Sequence, residues 1–137
     1  MINRPAIILT SLLLTACTTP SALRQELMHH HWVLESVDQR PVQSERGRAP
    51  DLEIGEHFTV NGIAGCNRYF GKGNLKQGRF WVSSLGSTEM ACGATLDVVE
   101  QAVLTTLRQG AALTTDAQGL TLQGEQHTLR YRLEEWK

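Results

Sequence analysis

No excess of either charge runs through this sequence, which carries 13 Lys and Arg against 14 Asp and Glu. Without a basic stripe it lacks the electrostatic footprint of a nucleic-acid binder. It also lacks a membrane span: a helix crossing a bilayer needs roughly 20 apolar residues, and the apolar stretch near the start, Ala6 to Leu14, is nine long. No internal repeat or low-complexity tract appears, and the charges are mixed along the chain, which points to an ordinary globular fold. Cysteine is scarce, with three in all. The acids Asp51, Glu53, Glu56 and the pair Glu134-Glu135 show no spacing that sets two carboxylates across a pocket, so they read as solvated faces and chain ends.

What is present begins with the first segment, which has the parts of a secretory signal: Arg4 at a charged start, the apolar stretch, and small residues before Cys17. Leu14-Thr15-Ala16-Cys17 looks like a bacterial lipobox. Cleavage before Cys17 would free its thiol for a thioether-linked diacylglycerol, with a further acyl chain on the new amino terminus in many bacteria. Two or more chains anchor stably at about 0.8 kcal/mol per buried CH₂, where one anchors only marginally. An ordinary cleaved signal with an incidental cysteine is the competing reading. Thr18 stands where Asp usually signals inner-membrane retention, and so favours the outer membrane of a Gram-negative cell. The expected organisation is a signal peptide over 1–16, a lipidated terminus and tether over 17–26, and one domain over 27–137.

With Cys17 assigned to lipid, Cys66 and Cys92 remain in a compartment where disulfides persist, and a bridge is the simplest reading of the pair. A free reactive thiol is the alternative, and it requires a neighbouring base or helix terminus.

Ser21 to Met28 reads as one or two weakly packed helical turns with Ser21 as N-cap and Leu23 and Leu27 on one face. From His31 the pattern alternates as a strand, and Asp38 to Pro41 makes a turn. Leu52 and Ile54 mark a second strand, followed by a turn at Gly55-Glu56 into Phe58-Thr59-Val60. Asn61 to Gly73 contains four glycines, so the backbone there either turns sharply or approaches another segment closely, and a plain strand is not expected. A hairpin from Phe70 to Leu75 returns through Phe80-Trp81-Val82, and Leu85 to Glu89 reads as a separate extension. The strong helix lies over Thr95 to Gln109, with Leu96, Val99, Val103 and Leu107 at helical spacing, Thr95 as N-cap and Gly110 just past the end. Strands around Leu113, Leu120 to Leu122 and His127 to Leu133 complete the chain. The class is mainly β: a small antiparallel β-barrel-like curled sheet with one capping α-helix. An α+β sandwich with the helix across one open face is the other arrangement these elements permit.

Cys66 as nucleophile, His57 or His127 as base and Asn67 as orienter are the residue types of a cysteine hydrolase, without any catalytic signature of such a family. His29-His30-His31 invites a metal, but neighbours in an extended chain point to opposite faces, so a solvated strand start is the simpler account. Arg130, Arg132 and Lys137 suit lipid headgroups or an anionic partner, or protection of a sheet edge.

The chain also resembles the META domain family, and within it the heat-inducible HslJ-type lipoproteins. Trp32-Val33-Leu34-Glu35-Ser36-Val37 matches the aromatic-x-Leu pattern of its first strand, and Gly62-Ile63-Ala64-Gly65-Cys66-Asn67-Arg68-Tyr69-Phe70-Gly71 its glycine turn. Thr88-Glu89-Met90-Ala91-Cys92 matches a later Thr-x-Met-x-Cys element, and Val98-Val99-Glu100 up to Leu107 matches the Glu-rich helix that follows it. The motif residues are thus Gly62, Gly65, Cys66, Asn67, Gly71, Thr88, Met90 and Cys92. The resemblance implies a small barrel-like fold, an envelope location, no established catalysis, and a part in heat or antibiotic stress tolerance. Read physically, Gly62 and Gly65 would allow unusual backbone angles, Cys66 can reach Cys92, and Asn67 can bond its own turn. The expectation is a non-enzymatic, monomeric, lipid-anchored module that binds an envelope protein or the cell wall and uses no cofactor, no metal and no nucleic acid. A small apolar ligand inside the barrel is the second reading, decided by whether Phe58, Phe80, Trp81, Leu122 and Tyr131 fill the interior or line a void.

Overall fold

The computed structural model of the protein describes residues 19–44 and 48–135. Helix α1 (Pro20–Leu27) leads into strand β1 (His31–Val37), the two-residue strand β2 (Arg40–Pro41) and strand β3 (Asp51–Ile54). A short 3₁₀ turn at Glu56–Phe58 precedes β4 (Thr59–Ile63), β5 (Arg68–Lys76) and β6 (Arg79–Ser87). Helix α2 (Ala94–Gln109) then crosses to β7 (Ala111–Asp116), β8 (Gly119–Gly124) and β9 (Thr128–Glu134).

Each strand pairs antiparallel with its neighbour, and β9 returns to β1, so the sheet closes. β2 pairs only with β1 as a flap, which leaves an eight-stranded barrel. The seam sets Trp32 opposite Leu133, Leu34 opposite Tyr131 and Val37 opposite Leu129, with a bulge between Leu34 and Ser36. Period-two alternation puts one face of each strand inside. Leu34, Leu52, Ile54, Val60, Tyr69, Phe80, Val82, Leu113, Leu122, Leu129 and Tyr131 are buried in one cluster. Closure of β9 on β1 removes the two free edges that an open sheet under a helix would keep, in contrast to the sandwich arrangement.

The two helices sit at opposite ends of β4. At its start, α1 docks by Leu27, which is fully buried; the Trp32 indole N–H donates to the Leu27 carbonyl at 3.2 Å, and the Arg24 guanidinium lies 4.0 Å from the centre of the Phe58 ring. The helix is therefore better packed than its length suggested. It begins at Pro20, inside the stretch expected to be tether, and Ser21 is not its cap: a proline in the first turn sets the helical φ without one. At the far end of β4, α2 lies against β6 where β7 does not reach, since those strands pair only through Arg79 with Ala112 and Phe80 with Ala111. Thr95 does not cap α2 either. Gly93, at φ 87°, takes that position, and the Asp97 carboxylate accepts the Cys92 N–H at 3.1 Å. Gly110 closes the other end at φ 86° as expected.

Two strand expectations are corrected. Much of Asn61 to Gly73 is regular strand, with the bend confined to 64–67, because these glycines make room for neighbours rather than turns. A Cβ on Gly71 would stand 2.4 Å from Val82 Cγ1. Leu85 to Ser87 belongs to β6 itself; a register shift opposite Gly71, with Ser84 at φ 52°, lets the strand continue.

Candidate functional site

The glycine turn between β4 and β5, the segment before α2 and the helix itself meet around Asn67, which is fully buried. Its Oδ1 accepts the Met90 N–H at 2.7 Å and the Thr88 hydroxyl at 2.9 Å. Its Nδ2 donates to the Met90 carbonyl at 2.8 Å and to Glu100 Oε2 at 2.9 Å, while its backbone N–H donates to Glu100 Oε1 at 3.1 Å. Asn67 thus pins three segments together instead of bonding only within its own turn. The disulfide joins Cys66 to Cys92 with Cα atoms 5.5 Å apart, and the Cys66 N–H donates to Cys92 Sγ at 3.2 Å.

Gly62 and Gly65 serve close approach, not unusual φ. A Cβ on Gly65 would meet the Leu96 carbonyl oxygen at 2.5 Å and Glu100 Cβ at 2.9 Å; one on Gly62 would meet the Asp51 carbonyl oxygen at 2.2 Å. Only the absence of a side chain lets the turn sit directly on α2. Gly71 lies apart, mid-strand in β5.

Two residues that matter here were given other readings from the sequence, Glu100 as part of a helix pattern alone and Asp51 as a solvated acid, which the structure corrects. Glu100, 8% exposed, lies on the buried face of α2 with its carboxylate toward the sulfurs, Oε1 being 3.7 Å from Cys92 Sγ. Its spacing from Leu96, Val103 and Leu107 places an acid on an apolar stripe, which was the available signal. Asp51 ties four strands: Oδ2 lies 2.8 Å from His31 Nε2, Oδ1 accepts the Ile63 N–H at 2.7 Å, and its carbonyl accepts the Tyr69 hydroxyl at 2.8 Å. Burial holds the Tyr69 phenol well above its ordinary pKa and raises that of Tyr131 as well.

The outer rim of the site is apolar and accessible. A cleft of about 270 Å³ opens beside the disulfide between Ile63, Met90 and Leu96, with Arg48 at its edge. Met90 is 61% exposed and Phe70, on the adjoining face of β5, is 58% exposed.

The other candidates do not assemble. Cys66 is bonded to Cys92, His57 sits in the turn before β4 at the end away from Cys66, and His127 Nδ1 lies 2.8 Å from Asp38 Oδ2, so no thiol–imidazole pair forms. That contact, first, and the Thr128 N–H hold the Asp38 carboxyl below its ordinary pKa. The three consecutive histidines face three separate acids: His29 with Glu56, His30 with Glu135 and His31 with Asp51. Arg130 reaches Asp116 at 2.8 Å and Arg132 reaches Glu134 at 2.9 Å, so both are engaged within the domain. Cys17 and Lys137 lie outside the described residues. Phe58, Phe80, Leu122 and Tyr131 pack into the core cluster, whereas Trp81 is only half-buried and outside it.

Comparison with known proteins agrees with this geometry. Residues 25–136 match the META domain family. The chain is 33% identical over 132 residues to "Heat shock protein HslJ" of Escherichia coli (strain K12), with 93% of each chain covered. One NMR structure superposes with a TM-score of 0.71 at 34% identity, over 79% of this chain and 92% of its own. A second, of a protein from Burkholderia xenovorans, gives a TM-score of 0.68 at 26% identity over 98% and 99%.

Proposed function

This chain belongs to the META domain family, and we propose that it acts as a non-enzymatic, lipid-anchored envelope module that supports stress tolerance by binding a protein partner or the cell wall. The observation that carries this reading is the inward commitment of the motif. Asn67, Glu100 and the two sulfurs bond one another, so the groups able to do chemistry are spent on holding a shape, while Met90 and Phe70 project from it. Exposed apolar side chains beside a rigid polar scaffold are the composition of a contact surface. The heat-shock name of the Escherichia coli relative supports the stress role.

The helices give the module a direction. α1 docks at the start of β4 and the motif lies beyond its end. Acyl chains on Cys17 would hold the α1 end at the bilayer, in a Gram-negative cell the outer membrane, and leave the motif end facing the periplasm. No helix among the described residues is long and apolar enough to cross a membrane. The apolar-ligand reading is weaker, because four of its five marker residues fill the interior.

A photo-crosslinking residue at Met90 tests the proposal in heat-stressed cells, with one at the exposed Gln77 turn as control. A discrete adduct from position 90 alone is expected. Equal labelling from both positions, or none from either, defeats the binding reading, and an unacylated amino terminus in the mass of the exported product defeats the anchor.

A further inference from the structure

Glu100 sits where a carboxylate has little reason to be. It is buried, and among the described residues its oxygens accept only from the N–H and the side-chain amide of Asn67, with no Lys, Arg or His paired to it. Buried carboxylates are ordinarily paired with a cation or bound to a metal. What faces this one is sulfur: Sγ of Cys66, Sγ of Cys92 and a Glu100 oxygen all lie within 4.8 Å of one another.

We propose that two-electron reduction of the Cys66–Cys92 bridge converts these three groups into a zinc site. The reductant is a dithiol. As its two thiols close into a disulfide, Cys66 and Cys92 become thiols, and the incoming metal releases both their protons to solvent. Two thiolates and one carboxylate are a zinc ligand set, and three protein ligands leave the fourth tetrahedral position to water from the cleft. Thiolates about 2.3 Å from a tetrahedral ion stand about 3.8 Å apart. The sulfurs, covalently joined in the bridge, therefore have to part by a side-chain movement, and the adjoining cleft of about 270 Å³, which both cysteines line, offers the room. The supporting shell is already in place. The Cys66 N–H points at Cys92 Sγ at 3.2 Å, and Asn67 holds both Glu100 oxygens. The site is independent of what the module binds.

The test uses the exported chain with Cys17→Ser, so that the third thiol supplies no ligand, compared oxidised and reduced with circular dichroism reporting the fold. Zinc is titrated against a chromophoric chelator, and cobalt replaces it for spectroscopy. The reduced, folded chain should take one zinc, release close to two protons near neutral pH, and show a thiolate-to-cobalt band; the oxidised chain should do none of these. Glu100→Gln should weaken zinc binding tenfold or more. Glu100→Asp, which keeps the carboxylate, should bind more tightly than Glu100→Gln. The idea fails if the reduced chain loses its fold, if it takes no zinc or half an equivalent, or if all three versions at position 100 bind equally.

Discussion

Truncating Asn67 to alanine removes a carboxamide that satisfies the Met90 peptide group, the Thr88 hydroxyl and one oxygen of a buried acid. Each buried group left without its partner costs about 1–3 kcal/mol, so we expect Asn67→Ala to destabilise the domain by about 3 kcal/mol or more in urea unfolding. Asn67→Asp, nearly the same shape, should be no better, because it sets a second carboxylate against Glu100. The two interior tyrosines give a sharper contrast. Tyr69 donates its hydroxyl to the Asp51 carbonyl, while the buried Tyr131 hydroxyl has no hydrogen-bond partner among the described residues. Tyr69→Phe should cost about 1 kcal/mol, and Tyr131→Phe should be neutral or stabilising; equal losses in the same measurement would contradict this assignment. Part of the motif's local chemistry was readable in the chain, since the cysteine count and the expected compartment pointed to the bridge that joins Cys66 to Cys92. What Asn67 bonds was not, because Glu100 is 33 positions away and only the folded helix brings it near.

Between the β4–β5 turn and α2 there is no space for a methyl group, and Gly65→Ala should cost about 1–3 kcal/mol as the helix is pushed from the turn. Thermal unfolding would show it, and an unchanged midpoint would mean that the turn relaxes freely. A different joint links the β1–β2 hairpin to β9: Asp38 accepts the Thr128 N–H at 2.8 Å and meets His127. The fold favours the ionised carboxyl, so this contribution is complete above the ordinary value of 3.8 and disappears as pH falls through the lower folded-state value. Below about pH 4 the urea midpoint of the parent should therefore fall more steeply than that of Asp38→Asn. Alternation and helical spacing made the strands and α2 legible, because those patterns are local. The helix starts were misread: Thr19 stands at the cap position ahead of Pro20 where Ser21 was expected, and Gly93 stands there where Thr95 was expected. The glycines were misread because one residue type serves both tight turns and close packing, and only the partner strand decides between them.

Closing the 26-residue separation between Cys66 and Cys92 restricts the unfolded chain by about 3.5 kcal/mol on a loop-entropy basis. That is below the roughly 5–15 kcal/mol typical of a domain. The reduced protein should thus remain folded, with a lower midpoint and a single transition seen alike by far- and near-ultraviolet dichroism. Two separated transitions would mean that the motif end melts apart from the barrel. Curled antiparallel architecture could be inferred from strand count and spacing, but the partner of the first strand could not, since β1 and β9 lie at opposite ends of the chain. That seam also governs how the molecule is made. Synthesised from its amino end, the chain has to wait with β1 unmatched on one edge until the last strand emerges. For that interval it presents a bare, hydrogen-bond-hungry margin, and chaperone demand during biogenesis should be greatest just before the final residues are released.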